Sequence, residues 1–400
     1  MKHAETNLAI VLGIRPDVIR ASIVLEILKA RLSPNRLYLI WSGQHYSENL
    51  KDVFFRQLNV AAPTVELGAK GETDAEFVSS VISKLDPVLR KIRPSSVVFL
   101  GDTNTVMGCI AAAQLNIPIV HIEGCMRSYD WRMPEEKYRL VADHLSDVIY
   151  AYLDEYKKQG VAEGLNPGSI VVTGNPIVDV LNKFYFAKRE HYEKIANQQF
   201  FRERGIKERE YYLMTCHRRE NVLDLQSLKN IIKLVEQCKF PIYFPASYRT
   251  QSALSHFSLT LPRHVTMVDP IGYEEFLALM TNSRGVISDS GTVIEEACIM
   301  NVPALQMRKS TERPQVYDIG ACVKYDPTTP QECQPRIVLR KFDALLGHDW
   351  VHPFGDGKAS ERIASDLVHR LENDDFQQHE PEDYGLDIQR SFRSDIIRLG

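Results

Sequence analysis

One pattern constrains the fold of this 400-residue chain above all others. A short apolar run is followed by a polar loop, then by a segment with helical spacing, then by another apolar run. Asn7–Leu12, Arg36–Trp41, Val97–Leu100, Ile117–Ile122, Val148–Ala151 and Ile170–Thr173 read as strands. Asp17–Arg31, Asp74–Ile92 and Val106–Leu115 read as helices between them. Pro16 suits a first helical turn. Such alternation predicts an α/β fold in which helices cover both faces of a parallel sheet.

The pattern stops across Asn182–Glu210, an aromatic and charged stretch read as helical, and then restarts. Tyr211–Thr215, Ile242–Pro245, Val265–Val268, Val286–Ser288 and Pro303–Leu305 form a second series of expected strands. Two Rossmann-like domains facing across a cleft follow, with a ligand held between them at the carboxyl ends of the strands. The charged segment from Glu361 onward has helical character and no strands.

Composition excludes several classes. Apolar content of 44% and charged content of 25% are ordinary for a globular protein. A net charge of −4 argues against a nucleic-acid partner, which needs a basic face. The apolar runs are far shorter than a membrane span, so no membrane partner is expected. Met1–Asn7 is polar and lacks the apolar core of a signal peptide, and the seven cysteines are scattered with no C-x-x-C pair. The expectation is a cytoplasmic, reduced protein. No cluster has metal-ligand spacing, and there is no Walker loop, H-E-x-x-H or clean G-x-G-x-x-G, so neither a metal nor a cofactor is expected.

Chemistry concentrates where expected strands end. His121 to Glu136 packs Glu123, Asp130, Glu135, Glu136, Arg127 and Arg132 into one loop behind the run Ile117–Val120. Glu135 and Glu136 would also suit a first helical turn, where the helix dipole favours anions. Glu123 directly follows a strand and has no such structural excuse. Gly13-Ile14-Arg15-Pro16-Asp17 sets a cation beside a tight turn, although Arg15 would serve equally as a surface ion-pair partner. In Gly101-Asp102-Thr103, Thr103 is a candidate helix cap and Asp102 projects from the strand edge, or is itself a cap or turn residue.

In the second half, His217-Arg218-Arg219 beyond the strand Tyr211–Thr215 suits an anionic ligand. Asp289-Ser290-Gly291 opens a helix, whose free N–H groups make an anion site. A carboxylate one turn later, where Glu295 and Glu296 stand, can accept both ribose hydroxyls, although an ordinary capped helix would also account for Ser290. Thr311-Glu312-Arg313-Pro314 is a further charged loop.

Taken in order, these stretches resemble the non-hydrolysing UDP-N-acetylglucosamine 2-epimerase family. The matching segments are Gly13–Asp17, Gly43-Gln44-His45, Gly101–Thr105, His121–Asp147, Thr173-Gly174-Asn175-Pro176, His217–Asn221, Asp289–Ala297, Thr311–Pro314 and Phe354-Gly355-Asp356-Gly357. The resemblance implies a GT-B-like fold. It divides the chain into a catalytic domain at 1–181, a UDP-binding domain at 182–370 and a helical tail at 371–400 that returns to the first domain. It implies an isomerase that needs no redox cofactor. UDP leaves C1 as a base takes the C2 proton, and UDP adds back to the 2-acetamidoglucal after reprotonation from the other face.

By the same resemblance Asp102, Glu123, Glu135 and His217 are the catalytic residues. Arg15, Ser290, Gly291, Glu296 and Arg313 are the UDP-binding ones, with Glu296 on the ribose. A UDP-sugar partner, a homodimer and a role in polysaccharide biosynthesis are implied as well. Competing readings are a 2-epimerase of a related UDP-amino sugar, the hydrolysing relative and a GT-B glycosyltransferase.

The chain departs from the family pattern in four places. The usual Glu-Ala-Gly-Leu-Arg is Glu123-Gly124-Cys125-Met126-Arg127, which would set Cys125 beside the sugar pocket. Thr292 stands at a usual glycine and Ile14 at a usual threonine. A histidine of a regulatory substrate site is expected near Ser247 and is missing, so activation by substrate is expected to be weak or absent.

Overall fold

The computed structural model describes residues 6–43, 55, 58 and 60–377. Of the matched stretches, Gln44 and His45 lie outside the described residues, as does the tail beyond 377. The described residues fall into two compact units. Unit 1 contains those up to Arg127, Pro134–Val180 and those from Gly355 on. Unit 2 contains Ser128–Met133 and Leu181–Phe354.

Unit 1 is built on a seven-stranded sheet, among the described residues, in the order β3-β2-β1-β4-β5-β6-β7. Its strands are β1 (Leu8–Leu12), β2 (Leu37–Trp41), β3 (Val65–Glu66), β4 (Ser96–Leu100), β5 (Ile119–Ile122), β6 (Val148–Ala151) and β7 (Ile170–Val172). Every pairing is parallel. β1 and β4 are buried along their whole length, as expected of strands with helices on both faces. The chain runs outward from β1 to β3, then crosses to β4 on the other side of β1. The strand order therefore reverses between β1 and β4, and ligands of open α/β sheets bind at such a point. The loops that leave this edge begin at Gly13, Gly101 and Glu123.

Unit 2 repeats the plan with six strands, ordered β10-β9-β8-β11-β12-β13. They are β8 (Tyr212–Thr215), β9 (Ile242–Pro245), β10 (Val265–Val268), β11 (Gly285–Ser288), β12 (Ala304–Met307) and β13 (Cys322–Tyr325). All pairings are parallel. Its reversal lies between β8 and β11, so the loops at Cys216 and Asp289 leave from the switch point. Ile287, Leu305, Phe244, Leu228, Ile231 and Phe342 pack its core.

The sequence pattern missed β3 and β13. β3 is only two residues long, and β13 is an edge strand with one exposed lysine at its centre. The return to unit 1 comes earlier than residue 371. Helix Ala359–Glu372 is seated in unit 1, where the Asp179 carboxylate accepts from the N–H groups of Ala359 at 3.2 Å and Ser360 at 2.9 Å. Two of the unpaired donors at the helix start are thereby satisfied. Tyr150 donates to Asp366 at 2.7 Å, and Arg362 to the Thr173 carbonyl at 3.0 Å. No helix among the described residues is long and apolar enough to cross a membrane.

Candidate active site

At the switch point of unit 1 the sequence places carboxylates, and the fold supplies an arginine to each. Asp102 follows β4 and pairs with Arg139 of helix Pro134–Leu145. Arg139 also binds Glu136 at 2.6 Å, three residues back on the same helix. One guanidinium thus ties Asp102 to the helix whose first turn holds Glu135, itself half-buried. Glu123 follows β5 and pairs with Arg20 of helix Arg15–Arg31. Both Glu123 and Arg20 are buried, so neither charge is tolerable without the other.

Asp17 completes this cluster. Its carboxylate accepts from the N–H groups of Gly13 and Ile14, each at 3.1 Å, and so shapes the loop that carries half-buried Arg15. Burial pushes its pKa up to about 7, against the opposing pull of those N–H groups and of Arg20. The Gly101 Cα faces both Asp17 and Glu123: a Cβ there would lie 3.2 Å from Asp17 Oδ1 and 3.7 Å from Glu123 Oε2. Thr103 makes no side-chain cap hydrogen bond, and the segment after it is a 3-10 turn, Asn104–Gly108. Asp102 is held by its ion pair with Arg139.

The loop after β5 is strained. Glu123 and Cys125 adopt φ of 79° and 65°, a left-handed conformation that favours glycine. Gly124 between them packs against Asp143, where a Cβ would come within 2.7 Å of Oδ1. The Cys125 side chain is fully buried and turned toward helix Asp154–Ala162, where a Cβ on Gly160 would meet its Sγ at 2.5 Å. The left-handed backbone at 125 swings the side chain into the layer between that helix and β7.

In unit 2 a buried carboxylate organises the edge. Asp289, after β11, accepts from the N–H of His217 at 3.0 Å, the N–H of Arg218 at 2.9 Å and the Asn221 amide at 3.2 Å. The His217 ring lies 3.5 Å from the same carboxylate. Burial holds the His217 pKa below the ordinary histidine value; Arg218 and Arg249 lower it further, and Asp289 opposes them. Ser290 caps helix Gly291–Ile299 by accepting from the Val293 N–H at 3.4 Å.

Gly291, in the first turn, lies against the Arg313 guanidinium. That guanidinium is itself held by Glu295 at 2.6 Å and Glu312 at 3.4 Å. Glu296 is buried and accepts from the Tyr273 hydroxyl at 2.7 Å. Unit 2 therefore offers backbone N–H groups, an arginine and a histidine at one strand edge, a set suited to a polyanionic ligand. Ser247, at the expected histidine, caps helix Tyr248–His256 by accepting from Thr250 N–H at 3.2 Å.

In unit 1, Asp102 and Glu123 thus leave neighbouring strands, with Arg15 at the start of the helix after β1 and Glu135 in the first turn of helix Pro134–Leu145; in unit 2, His217, Ser290 and Gly291 lie just beyond β8 and β11, with Arg313 against Gly291 and Glu296 on helix Gly291–Ile299. Sequence reasoning assigned no role to Asp17, Arg20, Arg139, His121 or Asp143. The spacings Asp17–Arg20 and Glu136–Arg139 put each pair on one helix face and were the available signal.

Comparison with known proteins identifies the family. The profile of the family described as UDP-N-acetylglucosamine 2-epimerase matches residues 30–368. A UDP-N-acetylglucosamine 2-epimerase of Methanocaldococcus jannaschii is 34% identical, over 91% of this chain and 99% of its own. A solved structure of the M. jannaschii UDP-GlcNAc 2-epimerase, in complex with UDP-GlcNAc and UDP, superposes with a TM-score of 0.81 at 33% identity, covering 91% of this chain and all of that one. A UDP-2,3-diacetamido-2,3-dideoxy-D-glucuronate 2-epimerase of Pseudomonas aeruginosa is 30% identical, over 90% of this chain and 98% of its own. With its two parallel α/β units and a profile match over most of its length, the chain belongs to the UDP-N-acetylglucosamine 2-epimerase family.

Proposed function

We propose that this protein is a non-hydrolysing 2-epimerase that interconverts UDP-N-acetylglucosamine and UDP-N-acetylmannosamine. Family membership and the similarity to the M. jannaschii enzyme, with its UDP-GlcNAc complex, support the substrate. The observation that carries the reading is the pair of carboxylates at the switch point of unit 1, Asp102 and Glu123, each clasped by a buried arginine.

The chemistry explains why such groups are needed. The C2 hydrogen has no adjacent carbonyl to acidify it, so its removal is coupled to cleavage of the C1–O bond. The electrons of the C2–H bond form the C1=C2 double bond, and UDP departs with the C1–O pair. Reprotonation at C2 from the opposite face and return of UDP to C1 complete the epimerisation. Asp102, Glu123 and Glu135 serve the C2 proton and the positive charge that develops on the ring. His217 assists the diphosphate, and a histidine that is neutral at pH 7 both donates and accepts there. Arg15, Ser290, Gly291 and Arg313 bind UDP, and Glu296 takes the ribose.

We read the protein as a cytoplasmic homodimer that supplies polysaccharide precursors. Its seven cysteines are all free thiols, which suits a reducing compartment. With Ser247 in place of the regulatory-site histidine, activation by UDP-N-acetylglucosamine is weak or absent.

Phosphorus and proton NMR of UDP-N-acetylglucosamine incubated with the protein test the reading. Accumulation of UDP-N-acetylmannosamine to an equilibrium approached from either side supports it. Stoichiometric UDP with free N-acetylmannosamine would mark a hydrolase. Inertness beside turnover of UDP-2,3-diacetamido-2,3-dideoxy-D-glucuronate would move the substrate to that sugar.

A further inference from the structure

His121 lies in the middle of the unit 1 sheet and is completely buried. Its Nδ1 is 2.7 Å from Asp143 Oδ1, and its Nε2 is 2.8 Å from the Gly101 carbonyl oxygen. A carbonyl oxygen only accepts. Asp143 is also acting purely as an acceptor: its other oxygen takes the Arg127 guanidinium at 2.7 Å and the Cys125 N–H at 3.0 Å. Both ring nitrogens therefore face acceptors, and a neutral imidazole has only one N–H to give. One lone pair would be pressed against an oxygen in a site without water contact.

The two partners are the loops that matter for the reaction. Gly101, with φ of 83°, immediately precedes Asp102. Asp143 fixes the Cys125 N–H, and with it the left-handed turn that starts at Glu123. We propose that His121 is a buried imidazolium and a positioning residue for epimerisation, joining the loop of Asp102 to the loop of Glu123. The proposal rests on the 2-epimerase reading for its functional half. The charge state stands on geometry alone.

The electrostatics agree. Burial pushes the His121 pKa down, but the hydrogen bond and charge of Asp143, the Gly101 carbonyl and the Glu123 charge outweigh it, and the value is raised. Burial alone would raise the Asp143 pKa; His121 and Arg127 outweigh it and hold the carboxyl below its ordinary value. Arg127 is tied back by Glu163 at 2.6 Å, so the row His121–Asp143–Arg127–Glu163 alternates in charge. Cys109 lies within reach of Asp143, and its pKa of about 12 keeps it a neutral thiol across the working range. Loss of the His121 proton breaks one of the two contacts and frees one loop.

The test uses the full-length protein with 15N-labelled histidine, its His121 signals assigned by comparison with His121→Gln. At pH 8 both ring nitrogens of His121 are expected to show the shifts of protonated nitrogens. A single bare nitrogen at pH 8 would overturn the charge assignment. In His121→Gln, kcat is expected to fall by up to about 100-fold, the scale of a small misplacement of reacting groups. KM is expected to change little. The wild-type kcat is expected to fall as the His121 ring loses its proton at alkaline pH, and this limb should be absent from the variant.

Unchanged kcat, or a limb that persists, overturns the positioning role. If His121→Gln does not fold, Asp143→Asn keeps the shape and removes the charge, and is expected to leave one His121 nitrogen bare; both still protonated would overturn the proposal. The NMR readout needs no substrate, so absence of epimerase activity sinks the functional reading separately.

Discussion

The Gly291 Cα lies directly against the guanidinium of Arg313: a Cβ added at 291 would stand 2.8 Å from Arg313 Cζ. Arg313 is almost fully buried and gripped by Glu295 and Glu312, so it cannot swing aside without breaking a buried pair. Gly291→Ala is therefore expected to weaken UDP binding at least about tenfold, the loss of one charge-assisted hydrogen bond. Alanine is a better helix former than glycine by about 1 kcal/mol, so helix Gly291–Ile299 itself should not suffer. Calorimetric titration with UDP, beside circular dichroism, separates the two effects. Wild-type affinity would show that Arg313 is not part of the anion site.

Glu123 is the carboxylate whose removal should cost most. Glu123→Gln keeps a hydrogen-bond partner for Arg20 but removes the charge that balances it. Turnover is expected to drop by about 10²–10⁴, the usual scale for a lost general acid or base. UDP affinity, measured by titration, should stay near wild type. A variant that keeps wild-type turnover would remove Glu123 from the chemistry.

Asp17 makes stability depend on pH in an unusual direction. Its folded pKa, about 7, lies above the ordinary aspartate value. Between about pH 4 and pH 7 the folded state holds a proton that the unfolded chain has released. Asp17 therefore contributes a loss of about 1.4 kcal/mol of stability per pH unit across that window, and no further slope above it. Asp17→Asn retains an oxygen for the Gly13 and Ile14 N–H groups and removes this slope. Urea unfolding of both proteins at pH 5, 6 and 7 measures the difference. Parallel lines would place the Asp17 pKa near its ordinary value.

Cys125 and Gly160 form a matched pair. A methyl group at 160 would meet Cys125 Sγ at 2.5 Å and Ile170 Cδ1 at 2.9 Å. Gly160→Ala is expected to destabilise by about 1–3 kcal/mol through overpacking. Cys125→Gly should relieve part of that penalty, because it removes the sulfur and suits the left-handed φ of 65°. A thermal double-mutant cycle reads the coupling, expected in the range of about 0.5–3 kcal/mol. Additive effects would contradict the packing.

The strand-and-helix alternation was legible because strands buried on both faces, such as Leu8–Leu12 and Ser96–Leu100, are continuous apolar runs. The site loops were legible because they begin where those runs end. Partnerships across the fold were not. Arg20 and Glu123 stand 103 residues apart, and Arg139 and Asp102 stand 37 apart. Neither sequence neighbourhood marks the other, since only the order of β1, β4 and β5 in the sheet brings them together. The packing of Cys125 against Gly160 was hidden for a different reason. It depends on a positive φ at a non-glycine residue, and sequence spacing gives no sign of that. The early return at Gly355 was masked because Asp179 caps a helix 180 residues downstream.

The most direct test of the account follows the C2 hydrogen. UDP-N-acetylglucosamine is incubated with the protein in D₂O, and C2 is observed by proton NMR and mass spectrometry. Side-chain carboxylates that exchange with solvent should place deuterium at C2 of the product, and of recovered substrate as equilibrium is reached. An epimer that keeps its original C2 protium would contradict proton removal by Asp102, Glu123 and Glu135.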